Sequence, residues 1–123
     1  MDQSSLAVGW ILEAEQRRRL LEKFPPRYGR PIAHHVTLLV DPGRGSLPPR
    51  AEGAIVGRAD DGRGVEAMVV RINGKAERPD GGTFHLTWSL ADGRAAKESN
   101  AVIAKGWTRF DEPVALILTP GRF

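Results

Sequence analysis

Apolar residues recur along this chain in short runs, broken by proline, glycine and aspartate, and their period switches between that of a strand and that of a helix. Residues 6–12 (LAVGWIL) are a brief apolar run suited to a buried strand, with a helical extension of the next segment as the competing reading. Residues 13–24 (EAEQRRRLLEKF) are good helix formers, with acids in the first turn and Leu20, Leu21 and Phe24 on one side. Pro25 and Pro26 end that run. Residues 32–40 (IAHHVTLLV) predict the next strand, and a Pro/Gly-rich loop follows over 42–53. Two β-prone runs, 54–58 and 65–72, flank an ADDGRG turn and predict a hairpin. The RPDGG turn at 78–82 leads into a strand over 83–90, then a DGR turn, a short helix at about 96–105 and a closing strand over 113–119. Short strands with two interspersed helices predict an α+β domain with a mainly antiparallel sheet.

A length of 123 residues fits one domain spanning 1–123. With 41% hydrophobic and 27% charged residues, the composition is that of an ordinary globular chain. There is no cysteine, which removes disulfides, thiolate metal sites and a cysteine nucleophile, and fits a reducing, cytoplasmic setting. The N-terminal segment has no basic n-region, and the run 6–12 falls short of the roughly 20 apolar residues of a membrane helix. No membrane partner is expected. The net charge of +3 favours a phosphate-bearing partner without specifying one. Arg17, Arg18 and Arg19 form either a solvated helix face or a face for RNA.

Chemistry enters with the histidines. Two of the three share a local pattern, His35-Val36-Thr37-Leu38 and His85-Leu86-Thr87-Trp88. With five threonines in the chain, a repeated His-x-Thr-apolar run is no product of composition. Strand alternation puts His35 with Thr37, and His85 with Thr87, on common faces. In the second run Phe84, Leu86, Trp88 and Leu90 take the core, which sends His85, Thr87 and Ser89 toward solvent or a cleft. In the first, Ile32, Val36, Leu38 and Val40 share the core-facing parity. His34 falls on that parity too and reads as a hydrogen-bonded histidine at a strand end. Imidazole titrates near neutrality, so one ring can take a proton from water while the other gives one to a departing oxygen. Each threonine hydroxyl can donate to a non-bridging phosphate oxygen.

The paired motifs resemble the signature of the 2H phosphoesterase superfamily, which includes RNA 2′,3′-cyclic phosphodiesterases, the cyclic phosphodiesterase portion of tRNA ligases and some ADP-ribose cyclic phosphate hydrolases. The segment GTFHLTWSLADGRAAKESN looks like the compact, RNA-repair-associated branch. The resemblance implies bilobal, pseudo-twofold antiparallel sheets around a central cleft, with His35 and His85 catalytic and Thr37 and Thr87 binding phosphate. It also implies metal-independent hydrolysis of a 2′,3′-cyclic phosphate on an RNA end or small nucleotide, with no cofactor. Tyr28, in the PPRYGRP loop, is a candidate for stacking on a base, while Trp10 reads as core. Arg94, Lys97 and Ser99 follow the second motif closely enough to reach a phosphate, although solvation or helix capping explains each as well. A zinc site is the weaker rival, since threonine is a poor ligand and no HExxH or carboxylate-flanked pattern occurs. The glycines at 43, 45, 53, 57, 62 and 64 fit turns and match no P-loop or dinucleotide fingerprint. The alternatives are a non-catalytic module that binds RNA ends, and a hydrolase of a 2′,5′-linked or ADP-ribose cyclic phosphodiester.

Overall fold

A computed structural model describes residues 7–40 and 47–123. Leu6 and residues 42–46 of the expected Pro/Gly-rich loop, Gly43 and Gly45 among them, lie outside the described residues. In chain order the elements are β1 (Ala7–Leu12), α1 (Ala14–Lys23), β2 (Arg30–Pro31), β3 (His35–Val40), β4 (Gly53–Asp60), β5 (Val65–Ile72) and β6 (His85–Leu90). A 3-10 turn (Ala96–Glu98) then runs into α2 (Ser99–Ala104), and β7 (Thr108–Leu116) and β8 (Leu118–Arg122) follow. The strands form one curled, antiparallel sheet in the order β7-β4-β5-β6-β3-β1-β8, with β2 beside β6. The fold is therefore mixed α+β, a half-barrel with two short helices. Among the described residues no helix is long and apolar enough to cross a membrane.

Each face of the sheet has its own apolar cluster and its own helix. On one face Trp10, Leu12, Val36, Ile55, Met68, Val70, Phe84, Leu86 and Trp88 pack together, and α1 covers them with Leu20, Leu21 and Phe24. That is the side of α1 its sequence makes apolar. Glu13 starts the helix by accepting hydrogen bonds from the amides of Glu15 (3.0 Å) and Gln16 (2.7 Å). On the other face Val56, Ala59, Ala67 and Val69 meet Ile103 and Val102 of α2, with Trp107 beside them. Of the three arginines of α1, Arg18 and Arg19 lie on the exposed side of the helix and pair there with Glu15, while Arg17 donates to the Ile32 carbonyl at 3.0 and 3.1 Å.

Three sequence expectations change. The strand expected over 32–40 begins only at His35, because Ala33 adopts φ = 45°, a left-handed conformation that interrupts the extended run. The expected closing strand is two strands, β7 and β8, at opposite edges of the sheet. Their prolines, Pro113 and Pro120, are tolerated because edge strands leave one side of the backbone without a partner. Finally, Val40 does not face the core. Between β1 and β3 the register shifts at Leu38, so that Gly9 pairs with Thr37 while Val8 pairs with Leu39. The extra residue inverts the alternation beyond it, and Val40, paired with Ala7, joins His35 and Thr37 on the opposite face.

Gly9 lets β1 approach that closely: a methyl there would overlap the Val36 carbonyl oxygen and crowd the Leu38 amide. Both obstacles are backbone, so neither can rotate away. Gly9→Ala is expected to destabilise the fold by roughly 1–3 kcal/mol, read as a lower urea midpoint, and to shift the Thr37 resonances. An unchanged midpoint would mean that β1 can move off β3 without cost.

Candidate active site at the seam between the two histidine strands

The two histidine runs meet directly. Val36 of β3 pairs with Leu86 of β6, the one cross-strand pair between these strands among the described residues. In the antiparallel register that this pair sets, His35 comes opposite Thr87 and Thr37 opposite His85. Val36 and Leu86 are fully buried in the core, so the four polar side chains project from the other face. There they line a cleft of about 210 Å³ with Val40, Arg78, Ala96, Lys97 and Asn100. The 3-10 turn and α2 wall one side of it, and the RPDGG turn supplies Arg78.

The two imidazoles are held differently. His85 is buried, and its Nδ1 lies 2.8 Å from the Thr83 carbonyl oxygen. A carbonyl can only accept, so Nδ1 carries the proton and Nε2 is the nitrogen left for a substrate. Burial lowers the pKa of His85, the Thr83 bond opposes that, and the Arg78 guanidinium lowers it further. His35 is pushed down to about 4, first by burial and then by the neighbouring His34 and His85. The Phe123 ring stacks on it with centroids 3.8 Å apart. Its Nδ1 lies 3.0 Å from Nδ1 of His34, so one of the two donates to the other. Both cleft histidines are therefore neutral at pH 7.

The two threonines also differ. The Thr37 hydroxyl has no hydrogen-bond partner among the described residues. Thr87 Oγ1 donates to the Ala96 carbonyl at 3.3 Å and lies 2.9 Å from the Ser99 hydroxyl. Ser99 is fully buried. Because a hydroxyl has a single proton, Ser99 is the donor to Thr87 when Thr87 donates to Ala96.

Of the other sequence candidates, Lys97 lines the cleft but Tyr28, Arg94 and Ser99 do not. Tyr28 donates its hydroxyl proton to Asp60 at 2.6 Å, and its amide donates to Ser89 Oγ. It is a pin for the loop after α1 rather than a stacking platform. Arg94 pairs with Asp61 at 2.8 Å and Glu98 at 2.9 Å beside a larger hollow of about 600 Å³, whose charges largely neutralise one another. Ser99 lies behind the cleft lining and touches it only through its hydroxyl contact with Thr87. Sequence reasoning missed Arg78 and Asn100, since no motif marks them; the only cue is that Arg78 opens the turn before the second histidine run. Among the described residues no group of three or more His, Cys, Asp or Glu side chains is placed to hold a metal ion. Comparison with protein-family models, curated proteins and solved structures returned no match to this chain.

The depressed His35 pKa has a consequence for stability. The unfolded imidazole titrates near 6.5 and the folded one near 4, so between those values the unfolded chain binds the extra proton. Stability should therefore fall as pH drops from about 6.5 to about 4, with His85 contributing in the same direction. Ring ¹⁵N shifts should show His35 neutral down to about pH 4, and His35→Gln should flatten the pH dependence of the urea midpoint. Titration of His35 near 6.5 would remove this account.

Proposed function

We propose that this chain is a metal-independent phosphodiesterase of the 2H type, which hydrolyses a 2′,3′-cyclic phosphate on an RNA end or a small nucleotide. The observation that carries this reading is the Val36–Leu86 pair, which faces two identical His-x-Thr runs across one cleft. The same pair supports a pseudo-twofold relation between the strands on either side of the seam. A cleft of about 210 Å³ is smaller than the roughly 300 Å³ at which pockets for drug-sized ligands begin. It suits a phosphate and part of a sugar, with the base outside.

The environments divide the work. His35, kept neutral, is the base that takes a proton from the attacking water. His85 is the acid. Its Nδ1–H is already held by the Thr83 carbonyl, which also stabilises the imidazolium. A phosphodiester anion arriving in the cleft raises the pKa of an adjacent imidazole and so loads that proton onto Nε2. The water oxygen bonds to phosphorus, the bond to one ribose oxygen breaks, and that oxygen takes the His85 proton. The product is a phosphomonoester. Thr37, with its uncommitted hydroxyl, donates to a non-bridging oxygen.

Assay against nucleoside 2′,3′-cyclic phosphates and a cyclic-phosphate-ended oligonucleotide tests this directly. His35→Ala and His85→Ala are each expected to lower kcat by about 10²–10⁴-fold, and turnover in the wild type should survive EDTA with a bell-shaped pH profile. Full activity in both variants would eliminate the mechanism. Binding without product after long incubation would instead identify a module that recognises RNA ends.

A further inference from the structure

Arg78 is the second cation-bearing group of the cleft beside Lys97, and it is the buried one. Its side chain is 9% exposed, a costly place for a guanidinium unless its charge is met. The other buried charge among the described residues shows what full compensation looks like. Glu66, wholly buried, accepts from Arg58 Nε (2.8 Å) and Nη2 (2.5 Å), Ser89 Oγ (2.6 Å) and the Arg27 amide (3.0 Å). Arg78 has much less. Its Nε donates to Asp80 at 2.9 Å, but Asp80 is half exposed, and its Nη2 donates to the neutral Asn100 carbonyl oxygen at 3.2 Å. No other donor contact of the guanidinium falls within the described residues. Its charge is oriented by two bonds, incompletely neutralised, and set in the wall of the histidine cleft.

The donor count points the same way. A phosphodiester brings two non-bridging oxygens and a negative charge. Thr37 can serve one oxygen, but the single Thr87 proton is directed to the Ala96 carbonyl and its lone pairs to Ser99. The cationic donors left in the cleft lining are therefore Arg78 and Lys97, and of the two only the Arg78 side chain is fixed by hydrogen bonds among the described residues. Arg78 is also close enough to act electrostatically on His85. Asn100 fixes the arginine from α2 while donating its own amide to the Lys97 carbonyl at 2.9 Å. The turn leaves room for the guanidinium only because Gly82 has no side chain: a Cβ there would stand 2.7 Å from Arg78 Nη2.

We propose, resting on the phosphoesterase reading above, that Arg78 is the phosphate-binding cation on the His85 side of the cleft and that it holds the phosphomonoester product as well as the diester. A charge-assisted bond from a fixed guanidinium favours the dianionic monoester over the monoanionic diester. Bound phosphate would also offset the repulsion between Arg78 and a protonated His85, so that the acid is charged only when substrate is present.

Inorganic phosphate is the probe, followed by calorimetry and by the His85 ring resonances, with turnover of a cyclic phosphate measured separately on the same samples. Arg78→Gln should weaken phosphate binding about ten- to a hundredfold, and Arg78→Lys should recover part of the loss. Asp80→Asn, which removes the partner and leaves the guanidinium, should bind phosphate at least as tightly as wild type. Equal binding by wild type and Arg78→Gln, or no binding by wild type, would overturn the assignment. So would an equal loss in Arg78→Gln and Asp80→Asn, which would make the turn and not the charge responsible. Phosphate binding that depends on Arg78 without any turnover would leave the anion site standing and remove the hydrolytic reading.

Discussion

One residue, Ile117, separates β7 from β8, yet these strands occupy opposite edges of the sheet. Two residues of extended chain span at most about 7 Å, so Leu116 and Leu118 bring the two edges together. A sheet of this order can satisfy that only by curling. The junction is filled tightly: Leu118 packs against Gly53 at the start of β4, where any side chain would collide with it. Leu116, Leu118 and Ile72 join the main apolar cluster at the same place. With its ends tied, the sheet is weakly joined between β3 and β6, where pairing among the described residues is reduced to Val36 and Leu86. The cleft opens at that seam.

This explains why catalytic-type side chains can be neutral, buried and accessible together. The seam lets ligand-sized space reach the face that α2 only partly covers, while Phe123, the 3-10 turn and the RPDGG turn screen the histidines from bulk water. Desolvation discharges both imidazoles, but their hydrogen bonds distinguish them. His85 leans on a carbonyl, which favours a cation; His35 leans on another imidazole, which does not. Two similar sequence runs thus acquire different proton affinities from their surroundings.

The buried charges divide the same way between scaffold and site. Glu66 gathers donors from β4, β6 and the loop after α1, and so ties three segments of chain behind the seam. Tyr28 and Arg27 extend that network to Asp60. Arg78 is held on only two sides and faces the cleft. Removing a donor from Glu66 would leave a buried charge uncompensated, which is costly, whereas Arg78 is met by only Asp80 and Asn100 among the described residues.

Much of this was legible in the chain. The helix over 13–24, the hairpin around ADDGRG and the core-facing set Phe84, Leu86, Trp88 and Leu90 all follow from local periodicity, and they are present. So is the placement of His35, Thr37, His85 and Thr87 off the core, because strand alternation is a property of adjacent residues. The misplacements share one cause. Val40 turned over because Gly9, thirty-one positions earlier, accepts a bulge in β3. Tyr28 and Arg94 lie near the motifs in sequence, but Asp60 and Asp61, 32 and 33 residues away, claim them. By itself the sequence determined that two His-x-Thr runs lie on strands with their histidines and threonines on the face opposite Val36 and Leu86, since alternation depends on covalent neighbours. Only the tertiary structure decided which charges and hydroxyls are spent and which remain for a ligand, because their partners come from distant parts of the chain that meet only when the sheet curls.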